Sequence, residues 1–234
     1  MAGRTSRTKR GRSAQGQLPF RQHGGARKGA GRKPNGDTAG VSHLTRATLA
    51  SRFPVHATAK LARGLPRLRQ RKEYAALRAA FAKGCDRFGF RLVHYAVLND
   101  HLHLVVEAAD RQALARGMQG LMIRVAKALN RLWSRRGSVF ADRYHDRILK
   151  TPREVRGVLA YVMNNAFQHA REGTSPRVNA PLDTFTSGPW FDGWRESLTV
   201  RGLEAIARPV ALGRTWLLTI GWRRHGLLDF AAVS

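Results

Sequence analysis

Between Phe90 and Ala108 two β-rich runs, "FRLVHYAVL" and "HLHLVVEA", flank the dipeptide Asn99-Asp100. Asn-Asp suits a tight turn, so the two runs are expected to pair as an antiparallel hairpin. A hairpin needs further strands and covering helices to become stable, and this constrains the rest of the chain. "FPVHATAKL", from Phe53, alternates well enough for an earlier strand, and "SVFADRYHDRIL", from Ser138, reads as a later one. The intervals have helical spacing. "KEYAALRAAFAKGCDRFG" places Leu77, Ala80 and Phe81 on one face before a terminal glycine, with Cys85 inside the helix. In the next interval Leu114, Met118, Leu121, Val125, Ala128 and Leu132 form one apolar stripe. "TPREVRGVLAYVMNNAFQHARE" opens with Thr151 as N-cap and Pro152 at the first helical position. The order β-α-β-β-α-β-α predicts an α+β fold, a ferredoxin-like antiparallel sheet with packed helices and one helix added.

The chain has 234 residues, with 42 Lys or Arg against 15 Asp or Glu, a formal net charge of +27. Such an excess attracts polyanions, nucleic acid above all. The competing explanations are a basic proteome or a membrane-surface protein, but the charge is spread along the chain rather than gathered on one amphipathic helix. A single cysteine, Cys85, excludes a disulfide framework and a cysteine-based zinc site and suits a reducing cytoplasm. No apolar stretch approaches the ~20 residues needed to span a bilayer. The basic N-terminus is not followed by the apolar segment of a secretory signal.

Three regions follow. Residues 1–50 are rich in Gly, Arg and Lys without apolar periodicity and are expected to be a disordered basic tail. Within it "GARKGAGRKP" resembles a degenerate AT-hook, with Arg32 and Lys33 as minor-groove candidates; a solvated basic linker explains it equally well. Residues 51–171 hold the predicted sheet and helices. Residues 172–234 have a loop-like stretch with two tryptophans and a short helical pattern, an appendage to which the sequence assigns no role.

On a strand His101 and His103 project to one face while Leu102, Leu104 and Val106 face the other. Two neighbouring imidazoles can grip one divalent metal, and they can equally be polar residues on an exposed face. In the last helix Tyr161, Asn165 and Gln168 stack along one stripe at separations of four and three. A tyrosine oxygen can attack phosphorus if a metal withdraws charge from the phosphate, and an amide one turn further on can be a third ligand. Taken alone, the same pattern also fits a half-buried aromatic followed by asparagines that cap a helix end.

Together these motifs resemble the HUH single-tyrosine transposases. His101-Leu102-His103 looks like their histidine-hydrophobe-histidine motif, "GSVFADRYHDRIL" like the basic-aromatic strand before their last helix, and "YVMNN" like the Tyr-x-x-x-Asn signature of the branch associated with repetitive extragenic palindromes. The resemblance covers roughly residues 53–171. It implies an HUH nuclease fold and a nuclease-ligase acting on single-stranded DNA hairpins through a 5′-phosphotyrosine. Tyr161 would be the nucleophile, and His101, His103 and Asn165 the ligands of Mg²⁺ or Mn²⁺. The chain departs from the family in two places. Ala166 stands where proline usually follows the asparagine, so the helix is not forced to end there, and Asp100 replaces the usual asparagine before the first histidine.

Arg124, Lys127, Arg131 and Arg135 fall on one side of the long helix, a candidate phosphate track or a solvated face. Arg143 and Tyr144, on the strand before the last helix, are candidates to hold a phosphate or stack a base. The expected partner is single-stranded or hairpin DNA, with no membrane. The protein would act as monomer or homodimer in a bacterial cytoplasm, associated with the nucleoid. A DNA-binding repressor that has lost the chemistry on the same fold is the alternative, and a relaxase or replication initiator a weaker one. Removing residues 1–50 is expected to weaken DNA binding and flatten its salt dependence while cleavage at saturating DNA persists, because each neutralised phosphate releases counterions. Binding titrations at several salt concentrations check this; an unchanged slope would mean that the tail does not touch DNA.

Overall fold

A computed structural model describes residues 47–171, 182–197 and 206–229, with side chains throughout except at 166–171. Residues 1–46 of the basic tail, Arg32 and Lys33 among them, and the Gln168 side chain lie outside the described residues. The expected boundary at residue 50 is corrected, because Leu49 is buried in the core and the Ala47 carbonyl accepts from Arg111. The elements are β1 (Val55–Lys60), α1 (Arg71–Ala82), β2 (Asp86–Arg87), β3 (Phe90–Val97), β4 (His101–Ala108), α2 (Arg111–Leu132), β5 (His145–Ile148), α3 (Pro152–Arg171) and α4 (Trp216–Thr219).

All strand pairs are antiparallel, in the order β2-β3-β4-β1-β5. The expected ferredoxin-like sheet is therefore present, with β1 an interior strand between β4 and the edge strand β5. Two-residue β2 is an addition that the sequence pattern did not predict. It turns into β3 through Phe88 and Gly89, both at positive φ (51° and 77°), which a two-residue hairpin of the right twist requires.

The period of two along each strand separates two cores. Val55 and Ala57 of β1 and Leu102, Leu104 and Val106 of β4 pack with Leu77 and Phe81 of α1 and Leu114, Met118, Leu121 and Val125 of α2. On the other face Val105 packs with Val155, Leu159 and Val162 of α3. A bulge between Leu92 and His94 in β3 inserts one residue, so Leu92 and Tyr95 share the α1–α2 face although they are three apart.

Three further sequence expectations are corrected. Cys85 lies beyond α1, which ends at Ala82. The apolar stripe of α2 ends in Leu129 rather than Ala128 and Leu132. Those two line a shallow groove opposite Ala76, Ala79 and Ala80 of α1, side chains too short to cover them. The strand from Ser138 is confined to His145–Ile148, with Phe140 making an isolated bridge to Leu61. Between them the Asp142 carboxylate accepts the Arg143 N–H (2.7 Å), a local turn that competes with the ladder. Arg143 and Tyr144 thus precede β5 rather than lying on it.

The described residues after α3 are part of the second core. Phe191, Trp194, Leu217, Leu218, Trp222 and Leu228 pack with the apolar side of α3. The buried Glu107 carboxylate anchors them: it accepts the backbone N–H groups of Arg214 (2.9 and 3.0 Å) and Thr215 (2.7 Å) and pairs with Arg91 at 2.8 Å. Arg69 similarly holds Asp183 through two hydrogen bonds of 2.8 and 3.0 Å. Glu107→Gln removes the charge that satisfies one guanidinium and two backbone donors. It is expected to cost about 2–4 kcal/mol, measured by denaturant unfolding, and to open residues 206–229 to proteolysis first.

Candidate active site

β4 carries its polar residues on the α3 face because the alternation that buries Leu102 and Leu104 turns His101 and His103 the other way. The two Nε2 atoms stand 3.1 Å apart. The Tyr161 hydroxyl, one helical layer above, lies 3.3 Å from His103 Nε2, and its ring meets the His103 ring edge-on, with centroids 5.0 Å apart. Tyr161 is half-buried and His103 is buried. The sheet and α3 therefore bring a pair of histidines together with a tyrosine 58 positions beyond the second of them.

The other ring nitrogens are engaged. His101 Nδ1 lies 2.7 Å from the Asp100 carboxylate. His103 Nδ1 lies 3.2 Å from Thr58 Oγ1 and 3.1 Å from His56 Nε2. His56 and Thr58 arrive because β1 pairs with β4 in a register that sets Thr58 opposite His103 and His56 opposite Val105. These two residues were missed in the sequence. Their signal is the alternation in "VHATAK", which separates them from Val55, Ala57 and Ala59, but their partner depends on the sheet order. Arg147, also missed, sits opposite His56 on β5. Burial, followed by the Arg147 charge, lowers the His56 pKa to about 4.

These donors fit a divalent metal. Two imidazole nitrogens in neighbouring positions on one ion at ~2.1 Å stand about 3 Å apart, which matches the Nε2 separation. Outward Nδ1 partners are what metal-bound histidines require to fix their tautomer. Among the described residues no group of three His, Cys, Asp or Glu side chains could hold a metal, so a further ligand from among them would be of another type. Asn165, one turn beyond Tyr161, is 1% exposed, and neither its amide oxygen nor its nitrogen has a hydrogen-bond partner among the described residues. A buried amide without partners costs on the order of 1–3 kcal/mol per atom unless something else meets the demand. α3 continues past Asn165 to Arg171, so the asparagines do not cap a helix end.

The basic candidates are dispersed. Arg124, Lys127 and Arg131 line, with Lys83, the groove between α1 and α2, on the opposite face of the sheet from the histidines. Arg124 also donates to the Gly120 carbonyl (2.8 Å). Arg135 lies beyond the end of α2 and holds the Ser138 carbonyl through two contacts of 3.2 Å, so it is not part of a helical track. Arg143 is exposed, and Tyr144 packs at the edge of the α1–α2 core. No described helix is long and apolar enough to cross a membrane.

Residues 66–165 match the family described as IS200-like transposase. Solved structures similar to the chain include a REP-associated tyrosine transposase bound to a REP hairpin, at 16% identity and a TM-score of 0.48, over 63% of this chain and 82% of that one. A transposase from Deinococcus radiodurans is similar at 14% identity and a TM-score of 0.36, over 59% and 100%. A bacterial tRNA(His) guanylyltransferase-like protein in complex with GTP is similar at 12% identity and a TM-score of 0.37, over 57% and 73%. No curated protein matches the chain in sequence.

The two lowered histidines set a pH dependence. Burial, then Arg208, lowers His94 to about 3, and His56 stands at about 4, both below the ordinary 6.5. Between pH 6.5 and 4 the unfolded chain binds more protons than the folded one, so stability is complete above 6.5 and is lost as pH falls. Denaturant unfolding with chelator present is expected to show a loss of roughly 2–4 kcal/mol from pH 7 to 5. Equal stability at both values would mean that the rings protonate freely in the folded state.

Proposed function

Residues 66–165 match the IS200-like transposase family, and with that similarity in view we propose that the protein cleaves and rejoins single-stranded DNA, at hairpins, with Tyr161 as nucleophile. The observation that carries this reading is the Tyr161 hydroxyl 3.3 Å from His103 Nε2, itself 3.1 Å from His101 Nε2. A nucleophile and a pair of converging metal donors then share one point in a cleft open to a strand. His101 and His103 would hold Mg²⁺ or Mn²⁺, with the Asn165 amide as a further ligand. The chemistry that such an ion supplies is withdrawal of charge from the phosphate oxygens.

The protein's own groups do the rest. Asp100, Thr58 and His56 keep the protons of the two imidazoles on Nδ1, leaving the Nε2 lone pairs facing the cleft. The Tyr161 oxygen forms a bond to phosphorus as the bond from phosphorus to the 3′ oxygen breaks. The phenolic proton passes to water and the released 3′ oxygen takes one up. The phosphotyrosine retains the energy of the broken bond, so attack by another 3′-hydroxyl joins strands with no external energy source. The net charge of +27 draws the DNA polyanion to the protein.

Tyr161→Phe is expected to abolish the covalent protein–DNA adduct on a denaturing gel while hairpin binding stays within a few fold. Asn165→Ala should lower adduct formation strongly at low Mn²⁺ and recover part of it at high Mn²⁺, whereas His103→Ala should recover little. An undiminished adduct in Tyr161→Phe would move the nucleophile elsewhere. Parental protein that binds DNA and forms no adduct at any metal concentration would instead favour the repressor reading.

A further inference from the structure

The cleft in front of Tyr161 has one wall from the sheet, His56, Thr58 and His103, and one from α3, Glu154, Gly157, Val158 and Tyr161, with Arg147 of β5 at its rim. Glu154, Gly157 and Tyr161 follow one another at separations of three and four, so they form a single stripe along α3. The residue in the middle of that stripe is the least suited to a helix: glycine loses more backbone freedom than alanine in a helix interior.

Nothing in the fold requires it. Gly157 is not among the residues at positive φ, and a Cβ built on it meets nothing within 4 Å. Gly117 in α2 is the contrast: there a Cβ would come within 2.1 Å of the Phe90 ring, so packing dictates the glycine. At Gly157 the missing side chain leaves open cleft and bare helix backbone one turn before the tyrosine.

Arg147 faces the same space. One of its terminal nitrogens donates to Glu154 at 2.8 Å, and among the described residues its other N–H groups make no hydrogen bond. The opposite carboxylate oxygen of Glu154 is committed to the N–H groups of Lys150 (2.9 Å) and Thr151 (3.1 Å), closing a capping box with Thr151 Oγ1. Glu154 thus orients the guanidinium and has its own charge met. The Arg147 side chain is 64% exposed and has donors left for an anion in the cleft.

We propose that the gap over Gly157, with Arg147 at its rim, seats the sugar-phosphate backbone of the strand next to the scissile phosphate, the neighbouring phosphate resting on the unused donors of Arg147. This seat rests on the reading of Tyr161 as nucleophile. A strand can approach a helix closely only where no side chain intervenes, and a guanidinium with spare coplanar donors suits a phosphate. The seat makes Gly157 and Arg147 positioning residues: they set where the strand lies relative to the tyrosine oxygen.

The test uses the full chain, a labelled hairpin oligonucleotide that the parent protein cleaves, and Gly157→Ala, Gly157→Leu, Arg147→Gln and Tyr161→Phe. Gly157→Ala is expected to raise the melting temperature by about 2–4 °C while slowing adduct formation, though less than a larger side chain does. Gly157→Leu should melt no lower than the parent yet slow adduct formation about tenfold or more at saturating DNA. Arg147→Gln should raise the DNA concentration for half-maximal rate and weaken its salt dependence. Parental adduct formation by Gly157→Leu, with none by Tyr161→Phe, overturns the seat and leaves the nucleophile standing. Adduct formation by Tyr161→Phe overturns the nucleophile and the seat with it. Should Gly157→Leu melt below the parent, Arg147→Gln decides: parental half-maximal concentration and salt slope overturn the seat.

Discussion

The pairing of β1 with β4 is the constraint on which the rest depends. With β1 paired on both sides, between β4 and β5, Thr58 comes to lie opposite His103 on one side and His145 on the other. A shift of one residue in that register would turn Val55 and Ala57 out of the α1–α2 core and carry His56 and Thr58 away from His103. The hydrophobic pattern of the sheet and the polar arrangement of the site are therefore fixed by the same ladder. Burying Leu102, Leu104 and Val106 on one face obliges His101, His103 and Glu107 to share the other.

That second face accommodates polar groups because each is met. Glu107 sits at one end of β4 with Arg91 and the start of α4, and the histidines sit at the other with Asp100, Thr58 and His56. Between them Val105 packs beneath α3. The residues after α3 matter here: Trp222, Leu218 and Phe191 cover the apolar side of that helix and hold it against the sheet. Their contribution to the site is mechanical, since the position of Tyr161 is only as well defined as that of α3. The low proton affinity of His56 has the same origin, burial beside a cation, and it keeps the ring neutral as a partner for His103.

α3 combines opposing demands along one length. Val155, Leu159 and Val162 fix it to the core, Thr151 and Glu154 secure its first turn, and Gly157 weakens it at the level of the cleft. The two glycines of contrasting character, Gly117 beneath Phe90 and Gly157 in open space, separate a packing requirement from a vacancy that packing does not explain. The α1–α2 groove with Arg124, Lys127 and Arg131 lies on the far side of the sheet, so the charge on that helix and the candidate nucleophile on α3 lie on different faces of the sheet.

The sequence alone determined the element order, the hairpin at Asn99-Asp100, the facing of His101 with His103 and the Thr151 cap, because each is a local pattern with a period or a spacing. It also determined the stripe from Tyr161 to Asn165, which a helix of 3.6 residues per turn imposes. It did not determine the full extent of β5, since Asp142 diverts the backbone before His145, nor the last turns of the α2 stripe, since the alanines of α1 leave Ala128 only partly buried and Leu132 exposed. His56, Thr58 and Arg147 were beyond its reach for a different reason. Their alternation is visible in the chain, but their neighbours are set by the sheet order, which joins strands 47 and 91 residues apart through contacts that no local pattern encodes. Gly157 was equally silent: a glycine within a helical pattern signals only a weakness, and the tertiary structure decided that what lies beside it is space.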